Sequence, residues 1–277
     1  MIEQITNQTA VSNEEMQVAN EMFPNDLSSL KIISNKICSS TGAKLVEDEK
    51  RNRYIMKRGD AHPQNTSNDH VINEYICNQL YNISGIKIPK CQLYFEGGMA
   101  ILLSSYISNA RPIRIKDYPA IAKIFLYDCL FANWDAYTQN DNCLVDSYGN
   151  LIHVDNGGTL NFRAKGGIKP FDGNIMDTFC SMQRYSPFIA LFLDDNNLLK
   201  QIADIRIKRA PLVNYLTKMN RNTLAKTIEE RIDNLYQIEQ LINQKQKKRG
   251  KFLNYTDYLY KITRFFVNIL ANCFYVR

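Results

Sequence analysis

The chain has 277 residues, of which 45% are hydrophobic and 11% aromatic, and its formal net charge is +6. This composition excludes an intrinsically disordered protein, and the length is sufficient for one large domain or for two lobes that share a cleft. The charge is uneven, because residues 200–277 contain 16 Lys and Arg against 6 Asp and Glu. The basic residues of this C-terminal third are expected on helix faces exposed to solvent, and contact with an anionic lipid or polyphosphate is the alternative.

The seven cysteines argue against an extracellular disulfide framework. They are odd in number and contain no Cys-x-x-Cys pair, which favours a reducing compartment and disfavours a structural zinc site. The N-terminal sequence MIEQITNQTAVSNEEMQ does not resemble a signal peptide, and the longest apolar stretch, FFVNILANCFYV, is too short to span a bilayer as a helix. We therefore expect a soluble protein.

The first part of the chain is predicted to be rich in β-strands. Residues 1–25 form a polar lead, and residues 30–60 alternate in the manner of strands around the charged turn VEDEKRN. The segments KIPKCQLYF and MAILLSSYI predict two further strands that meet at a glycine turn. Between these regions, HVINEYICNQLYNIS predicts a helix that ends at Gly85 and has one apolar face, formed by Ile72, Ile76, Leu80 and Ile83.

From Pro119 onward the pattern is helical. AIAKIFLYDCLFANW is apolar nearly all round and predicts one buried helix, whereas YSPFIALFL and NLLKQIADIRIK predict amphipathic helices. TLAKTIEERIDNLYQIEQLI predicts another, with an apolar stripe of Leu224, Ile228, Ile232, Leu235 and Ile242.

These elements predict an α+β fold with two lobes. The N-lobe is expected over residues 26–110 and the larger helical C-lobe over residues 111–277, with a linker near residues 108–116. Ligands often bind where two such lobes meet.

Polar residues are concentrated in FANWDAYTQNDNCLVDSYGNLIHVDNGG, from Phe131 to Gly158. Asp135 follows the predicted buried helix, Asn142 begins the first strand of a hairpin, and Asp155 ends the second. DSYGN already supplies the turn, so Asn142 and Asp155 are not needed as turn formers. The hairpin is expected to bring them side by side, where both can serve as oxygen ligands of Mg²⁺. Phosphoryl transfer from ATP needs such a metal, a cation for the phosphates and an acidic group for the acceptor hydroxyl.

In this stretch the sequence resembles the protein-kinase-like superfamily, specifically its HipA-type and phosphoinositide-kinase-like branch, and the resemblance covers about residues 36–170. The resemblance implies that Asp135 is the catalytic Asp and that Asn142 and Asp155 hold Mg²⁺. The run that begins at Asn156 stands where ordinary protein kinases have Phe-Gly.

The first part of the chain shows the same resemblance. Lys57, in YIMKRG near the end of a predicted strand, is similar to the lysine that contacts the nucleotide phosphates, and Glu74 would pair with it. Gly42, in SSTGAKL, stands in the loop that covers the phosphates, and the backbone near Ser104 and Tyr106 would meet the adenine.

The hydroxyl residues of that phosphate loop imply a regulatory modification. The resemblance implies self-phosphorylation of the loop, and a phosphate there would repel the phosphates of ATP. The candidate acceptors are Ser39, Ser40 and Thr41.

We accordingly expect an ATP- and Mg²⁺-dependent kinase that acts on protein Ser/Thr, as a HipA-like toxin or a secreted effector would, in the cytoplasm or in a host cytosol. A phosphoinositide kinase is one alternative. A second is a nucleotide-binding pseudokinase that serves as a scaffold, because Ala136 departs from the family pattern and Asp141 competes with Asp135 for the base role. A nucleic-acid partner is not expected.

Several of these features also have alternative interpretations. Lys57 alone would be a solvent-facing strand residue, and Glu74 lies off the apolar helix face and would be exposed. Cys143 and His153 share the predicted hairpin, but no geometry in the pattern supports a thiol hydrolase. The segment after Lys245 is expected to be a terminal helix packed on the large lobe, with a membrane-binding amphipathic helix as the alternative.

Overall fold

The computed structural model describes six segments of the chain, residues 3–4, 23–35, 42–60, 68–136, 142–163 and 167–251. It confirms the predicted α+β class with a small sheet-containing lobe and a larger helical lobe. Within these segments, no helix combines the length and the apolar composition that crossing a membrane requires.

The small lobe is built on an antiparallel sheet with the strand order β1-β5-β6-β4-β3-β2. Its six strands are β1 (Glu3–Gln4), β2 (Lys31–Ser34), β3 (Lys44–Glu47), β4 (Arg53–Arg58), β5 (Cys91–Glu96) and β6 (Met99–Ser105). Strand β1 comes from the segment predicted as a polar lead and pairs with β5.

Strand β4 shows how the alternation of side chains positions a functional residue. Tyr54 and Met56 point to one face of the sheet and pack in an apolar cluster. Ile55 and Lys57 point to the opposite face, which lines the cleft between the lobes. The two-residue period of the strand therefore places Lys57 in the cleft.

The predicted helix of the small lobe is α1 (Asp69–Ile83), and the chain leaves it through Gly85 at φ 73°. It packs against β5 and β6 on one side and against the 3-10 turn Asn156–Gly158 on another. Both faces are thus covered, which is why Glu74 is buried although it lies off the predicted apolar face. The interpretation of Glu74 as an exposed helix position is wrong.

A three-stranded antiparallel sheet lies below the cleft, with β7 (Arg111–Pro112), β8 (Cys143–Val145) and β9 (Leu151–His153) in that order. Strands β8 and β9 form the predicted hairpin, whose turn is closed by the carboxylate of Asp146, which accepts from the backbone N–H groups of Tyr148 and Asn150 at 2.9 Å each. Strand β7 comes from the predicted linker and lies at the edge, where a proline is tolerated.

The prediction of a single buried helix over AIAKIFLYDCLFANW is wrong. The structure has two short helices, α2 (Tyr118–Ile121) and α3 (Phe125–Leu130), separated by a break at residues 122–124. The side chain of Gln201 bridges this break, because its Nε2 donates to the carbonyl of Ala122 at 2.9 Å and its Oε1 accepts from the N–H of Leu126 at 2.9 Å. Hydrogen bonds from a distant helix thus replace those of a continuous helix.

The rest of the large lobe is helical, with α4 (Ile175–Tyr185), α5 (Pro187–Phe192), α6 (Asp195–Ile207), α7 (Arg209–Lys218), α8 (Asn222–Asp233) and α9 (Tyr236–Lys251). The long helix predicted from TLAKTIEERIDNLYQIEQLI is two helices, α8 and α9. Asn234, between them, donates to the carbonyl of Gly173 at 2.9 Å. The predicted stripe still faces the core, with Leu224 partly buried and the other four residues buried. Residues after Lys251 lie outside the described segments.

Candidate active site

A cavity of about 320 Å³ lies between the sheet of the small lobe and the hairpin of the large lobe. Six predicted site residues line it, namely Lys57, Glu74, Ser104, Tyr106, Asn142 and Asp155. Asn78 and Ser105 also line it, together with six apolar residues from both lobes, namely Ala43, Ile55, Pro89, Ile107, Leu144 and Val154. An apolar cavity with a few convergent polar groups is typical of a small-molecule site.

Lys57 joins the small lobe to the hairpin at one end of this cavity. Its Nζ donates to Oε1 and Oε2 of Glu74 at 2.8 and 2.6 Å and to Oδ1 of Asp155 at 2.5 Å. Lys57 and Glu74 are buried, whereas the side chain of Asp155 is 39% exposed. One cation is therefore shared by a buried carboxylate and by a carboxylate that faces the cavity.

The protonation of this group follows from its burial and its charges. Burial disfavours the charged form of Lys57, but the carboxylates of Asp155 and Glu74 outweigh that effect and raise the pKa of Lys57 above its ordinary value. Burial also raises the pKa of Glu74, against the lowering effect of Lys57. Because the ammonium bonds to both carboxylates, we expect Lys57 to be protonated and to hold Glu74 ionised at neutral pH.

Asp155 lies at a sharp change of chain direction. Its backbone is left-handed, with φ 54° and ψ 52°, and the 3-10 turn Asn156–Gly158 follows directly. The turn lies close to α1, since a Cβ built on Gly157 would lie 3.1 Å from Oε2 of Glu74. Asn73 of α1 donates to the carbonyls of Gly157 and Thr159 at 3.1 Å each, which fixes the turn against the helix.

Asn142 begins the hairpin next to Asp155. Its carbonyl accepts from the N–H of Val154 at 3.0 Å, and its Nδ2 donates to the backbone carbonyl of Asp135 at 3.3 Å. Asn142 and Asp155 thus present a carboxamide and a carboxylate to the same cavity, and these are the oxygen donors that Mg²⁺ prefers. Within the described segments, no group of three or more His, Cys, Asp or Glu residues is arranged to hold a metal ion. A site of one carboxylate and one carboxamide is therefore suited to a metal that also keeps water and phosphate ligands.

Asp135 lies beside this cavity and is not one of its lining residues. It follows α3 in a loop where Ala132 is left-handed, with φ 51°. Burial raises the pKa of Asp135, and Lys169 opposes that increase. The predicted catalytic residue is thus connected to the cavity through the contact of its backbone carbonyl with Asn142.

The predicted phosphate loop is only partly within the described segments. Gly42 is left-handed at φ 67°, a conformation that glycine adopts without strain, and the adjacent Ala43 lines the cavity. The proposed modification sites Ser39, Ser40 and Thr41 lie outside the described segments, as does Asp141, the second candidate base.

Buried amide groups that sequence reasoning missed support the floor of the site. Asn156 donates to Oδ1 of Asn78 at 2.9 Å, and Asn133 donates to Oδ1 of Asn156 at 3.3 Å and to the hydroxyl of Tyr81 at 2.8 Å. Tyr81 in turn donates to Asp128 at 2.6 Å. In the sequence, only the abundance of Asn between Phe131 and Gly158 indicates this network, because the residues that form it are dispersed along the chain.

Lys169 was also missed. It is 7% exposed, and its Nζ donates to the backbone carbonyls of Ala132 and Gly158. Its partners lie 37 and 11 residues away and are main-chain atoms, so that no side-chain pattern in the sequence indicates them.

The thiol-hydrolase interpretation is disfavoured by burial. Cys143 and His153 are directly paired across the hairpin, and both are buried. Burial raises the pKa of the Cys143 thiol, which keeps it in its protonated, poorly nucleophilic form.

No protein-family model matches the chain, and no curated protein matches it in sequence. Among solved structures, the chain is similar to the Helicobacter pylori proinflammatory kinase CtkA, at 10% identity and a TM-score of 0.47. The similarity covers 76% of this chain and 96% of that chain. At 10% identity and a TM-score below 0.5, this similarity carries no argument about the fold or the site.

Proposed function

We propose that the chain is an ATP-dependent kinase that uses Mg²⁺ and transfers the γ-phosphoryl group to a hydroxyl. The observation that carries this proposal is Lys57, whose ammonium is shared by Glu74 and Asp155 at the end of an apolar cavity between two lobes. An ammonium group held in this way can exchange its contact with Asp155 for one with a phosphate oxygen while it stays paired with Glu74.

The apolar part of the cavity would receive the adenine. Ala43 and Ile55 come from the small lobe, and Leu144 and Val154 from the hairpin, so that a planar ring fits between apolar walls. Residues 104–107 also line the cavity.

The backbone of residues 104–107 limits how the adenine can be bound. The N–H groups of Ser105 and Tyr106 already donate to the carbonyls of Lys90 and Arg53 at 2.8 and 2.9 Å. We therefore propose that the donor to the adenine is the N–H of Ile107, one residue beyond the Ser104–Tyr106 segment predicted from sequence.

The polar end of the cavity would bind the phosphates. Lys57 would contact the phosphate oxygens, while Asn142 and Asp155 would hold Mg²⁺. When bound, the metal supplies positive charge that offsets the charge of the phosphate oxygens. Glu74 would act indirectly, by keeping Lys57 in place.

Asp135 would orient the acceptor hydroxyl and accept its proton. The hydroxyl oxygen forms a bond to the γ-phosphorus, the bond from that phosphorus to the bridging oxygen breaks, and ADP leaves. The influence of Lys169 on Asp135 favours the ionised carboxylate, which is the form that a proton acceptor needs.

We propose protein Ser/Thr as the acceptor rather than a phosphoinositide. Trp134, next to Asp135, packs edge-on against the exposed ring of Tyr185 at 6.0 Å, and such aromatic surfaces are common in protein recognition. A role as a HipA-like toxin or secreted effector, in the cytoplasm or a host cytosol, belongs to the same proposal, as does contact of residues 200–277 with an anionic lipid or polyphosphate.

The test is incubation of the protein with γ-labelled ATP and Mg²⁺, with and without cell lysate or phosphoinositide vesicles, beside the Asp155→Asn variant. The proposal expects label on protein that disappears with Asp155→Asn. Label on lipid alone would establish the phosphoinositide alternative. Calorimetric binding of ATP without any transfer would contradict the kinase proposal and establish a nucleotide-binding scaffold.

A further inference from the structure

Lys169 contacts two turns that carry proposed functional residues. Its Nζ donates to the carbonyl of Ala132 at 2.6 Å and to the carbonyl of Gly158 at 2.5 Å. Ala132 lies three residues before Asp135, and Gly158 lies three residues after Asp155. A single ammonium group therefore connects the loop of the proposed base to the turn that follows the proposed metal ligand.

The two turns also have strained backbones. Ala132 and Asp155 are both left-handed although neither is glycine, with φ values of 51° and 54°. Such conformations persist only where surrounding contacts determine them. Neutral hydrogen bonds connect the turns elsewhere, since the N–H of Leu160 donates to the carbonyl of Phe131 at 2.7 Å.

The position of Lys169 carries an energetic cost. Burial lowers the pKa of Lys169 to about 7, although the nearby carboxylate of Asp135 opposes the decrease. Cys77, Arg163 and Arg231 act on the same ammonium. Its two backbone hydrogen bonds and the nearby carboxylate of Asp135 offset this cost.

We propose that Lys169 is a positioning residue that sets the distance between the Asp135 loop and the Asp155 turn, and that phosphoryl transfer depends on it while nucleotide binding does not. This proposal rests on the proposed kinase function for its second part. It assigns Lys169 no contact with the substrate, because Lys169 does not line the cavity.

The test compares Lys169→Met with Lys169→Arg and with a matched control. Met keeps the length of the side chain and removes both hydrogen bonds, whereas Arg keeps the charge and the donors. Lys208→Met is the control, because Nζ of Lys208 also donates to a backbone carbonyl, that of Ser84 at 2.7 Å, and to Asp204 at 2.8 Å, and neither acceptor belongs to the two turns.

The first measurement is hydrogen exchange by mass spectrometry, which does not depend on activity. Lys169→Met should raise the exchange rates of residues 131–136 and 156–162 together, while Lys208→Met should leave both segments unchanged. Lys169→Arg should restore protection at least in part. Unchanged exchange in either segment, or an equal increase throughout the small lobe, would overturn the proposed link.

The second measurement is steady-state phosphoryl transfer. Lys169→Met should lower kcat by on the order of 10²-fold, as small misplacements of reacting groups do, with the KM for ATP within about threefold of wild type. A kcat equal to wild type would overturn the positioning role. If the wild type itself transfers no phosphate while exchange responds as expected, the kinase proposal fails and the structural link between the turns stands.

Discussion

Lys57 of β4 and Glu74 of α1 form a buried ion pair in which the lysine Nζ contacts both carboxylate oxygens, and each side chain is 6% exposed. The pair joins the sheet to the helix of the small lobe at the point where the cavity ends. A buried pair of this kind adds little net stability, but the loss of one partner leaves a buried charge without compensation. The contributions of this ion pair to folding and to nucleotide binding can therefore be separated by mutation.

Lys57→Met should destabilise the fold and prevent nucleotide binding. Glu74 and Asp155 would lose their shared cation, and we expect the free energy of unfolding to fall by about 3–5 kcal/mol, with protonation of Glu74 reducing that loss. The double variant Lys57→Met/Glu74→Gln should recover most of the stability but none of the affinity for ATP. Urea unfolding and calorimetry with ATP measure the two effects.

Lys87→Met is the matched control for this prediction. Lys87 pairs with Asp146 at 2.8 Å, but its side chain is 52% exposed, so we expect a change below about 1 kcal/mol. A double variant no more stable than Lys57→Met would show that the buried carboxylate is not the source of the instability. Retained ATP affinity in Lys57→Met would contradict the phosphate-binding role.

Mg²⁺ and ATP should bind cooperatively, because Lys57 contacts Oδ1 of Asp155, the proposed metal ligand. Phosphate oxygens that draw Lys57 away would make that carboxylate available. Calorimetric titration should show weak Mg²⁺ binding without nucleotide and stronger binding with a non-hydrolysable ATP analogue. Asp155→Asn should remove this coupling and lower transfer by ~10²-fold or more.

Asp146→Asn provides the control for Asp155→Asn, since Asp146 lies on the same hairpin and also contacts a lysine, Lys87. It should leave the coupling between Mg²⁺ and nucleotide unchanged. Equal Mg²⁺ affinity with and without the nucleotide analogue would argue that the metal does not use Asp155.

Local patterns predict where some of the cavity residues lie, whereas their assignment to a site came from the family resemblance of the motifs. The two-residue period of β4 places Lys57 on the face of Ile55, and the turn in DSYGN aligns Asn142 with the end of the second hairpin strand. Glu74, Ser104 and Tyr106 were candidates only because of that resemblance. Their roles in binding and catalysis remain predictions that the experiments above address.

The parts that could not be predicted depend on contacts between distant residues. The break between α2 and α3 is bridged by Gln201, which lies 75 residues after Leu126. Glu74 is buried because a turn some 80 residues later covers the outer face of α1. Amphipathic patterns report one buried face, and they do not show that a second element covers the other.

Arg231 should be a major determinant of stability in the large lobe. It is 1% exposed, and its guanidinium donates to the carbonyls of Cys129, Leu130 and Asp172 at 2.7–2.9 Å. The carbonyl of Cys129 also accepts from the N–H of Ala132 at 3.1 Å, whereas the buried carbonyl of Leu130 would lose the donor that Arg231 supplies, so Arg231→Met should lower the free energy of unfolding by about 1–3 kcal/mol.

Arg209→Met is the comparison for Arg231→Met in urea unfolding. Arg209 pairs with Glu229 and Asp233 on the surface, and its side chain is 39% exposed. We expect its loss to cost less than about 1 kcal/mol. Similar losses for the two variants would mean that the carbonyls near the end of α3 find other partners.

Asp135→Asn should separate binding from transfer. Asp135 does not line the cavity, so ATP affinity should stay close to wild type, while transfer should fall by ~10²–10⁴-fold because the carboxamide cannot accept the proton. Burial raises the pKa of Asp135 above the ordinary 3.8, and a base must be ionised, so wild-type transfer should decrease as the pH falls towards that raised value. Calorimetry with ATP over the same pH range checks that the decrease does not arise from weaker binding. If Asp135→Asn transfers phosphate as fast as wild type, Asp135 is not the base and Asp141 becomes the residue to substitute next.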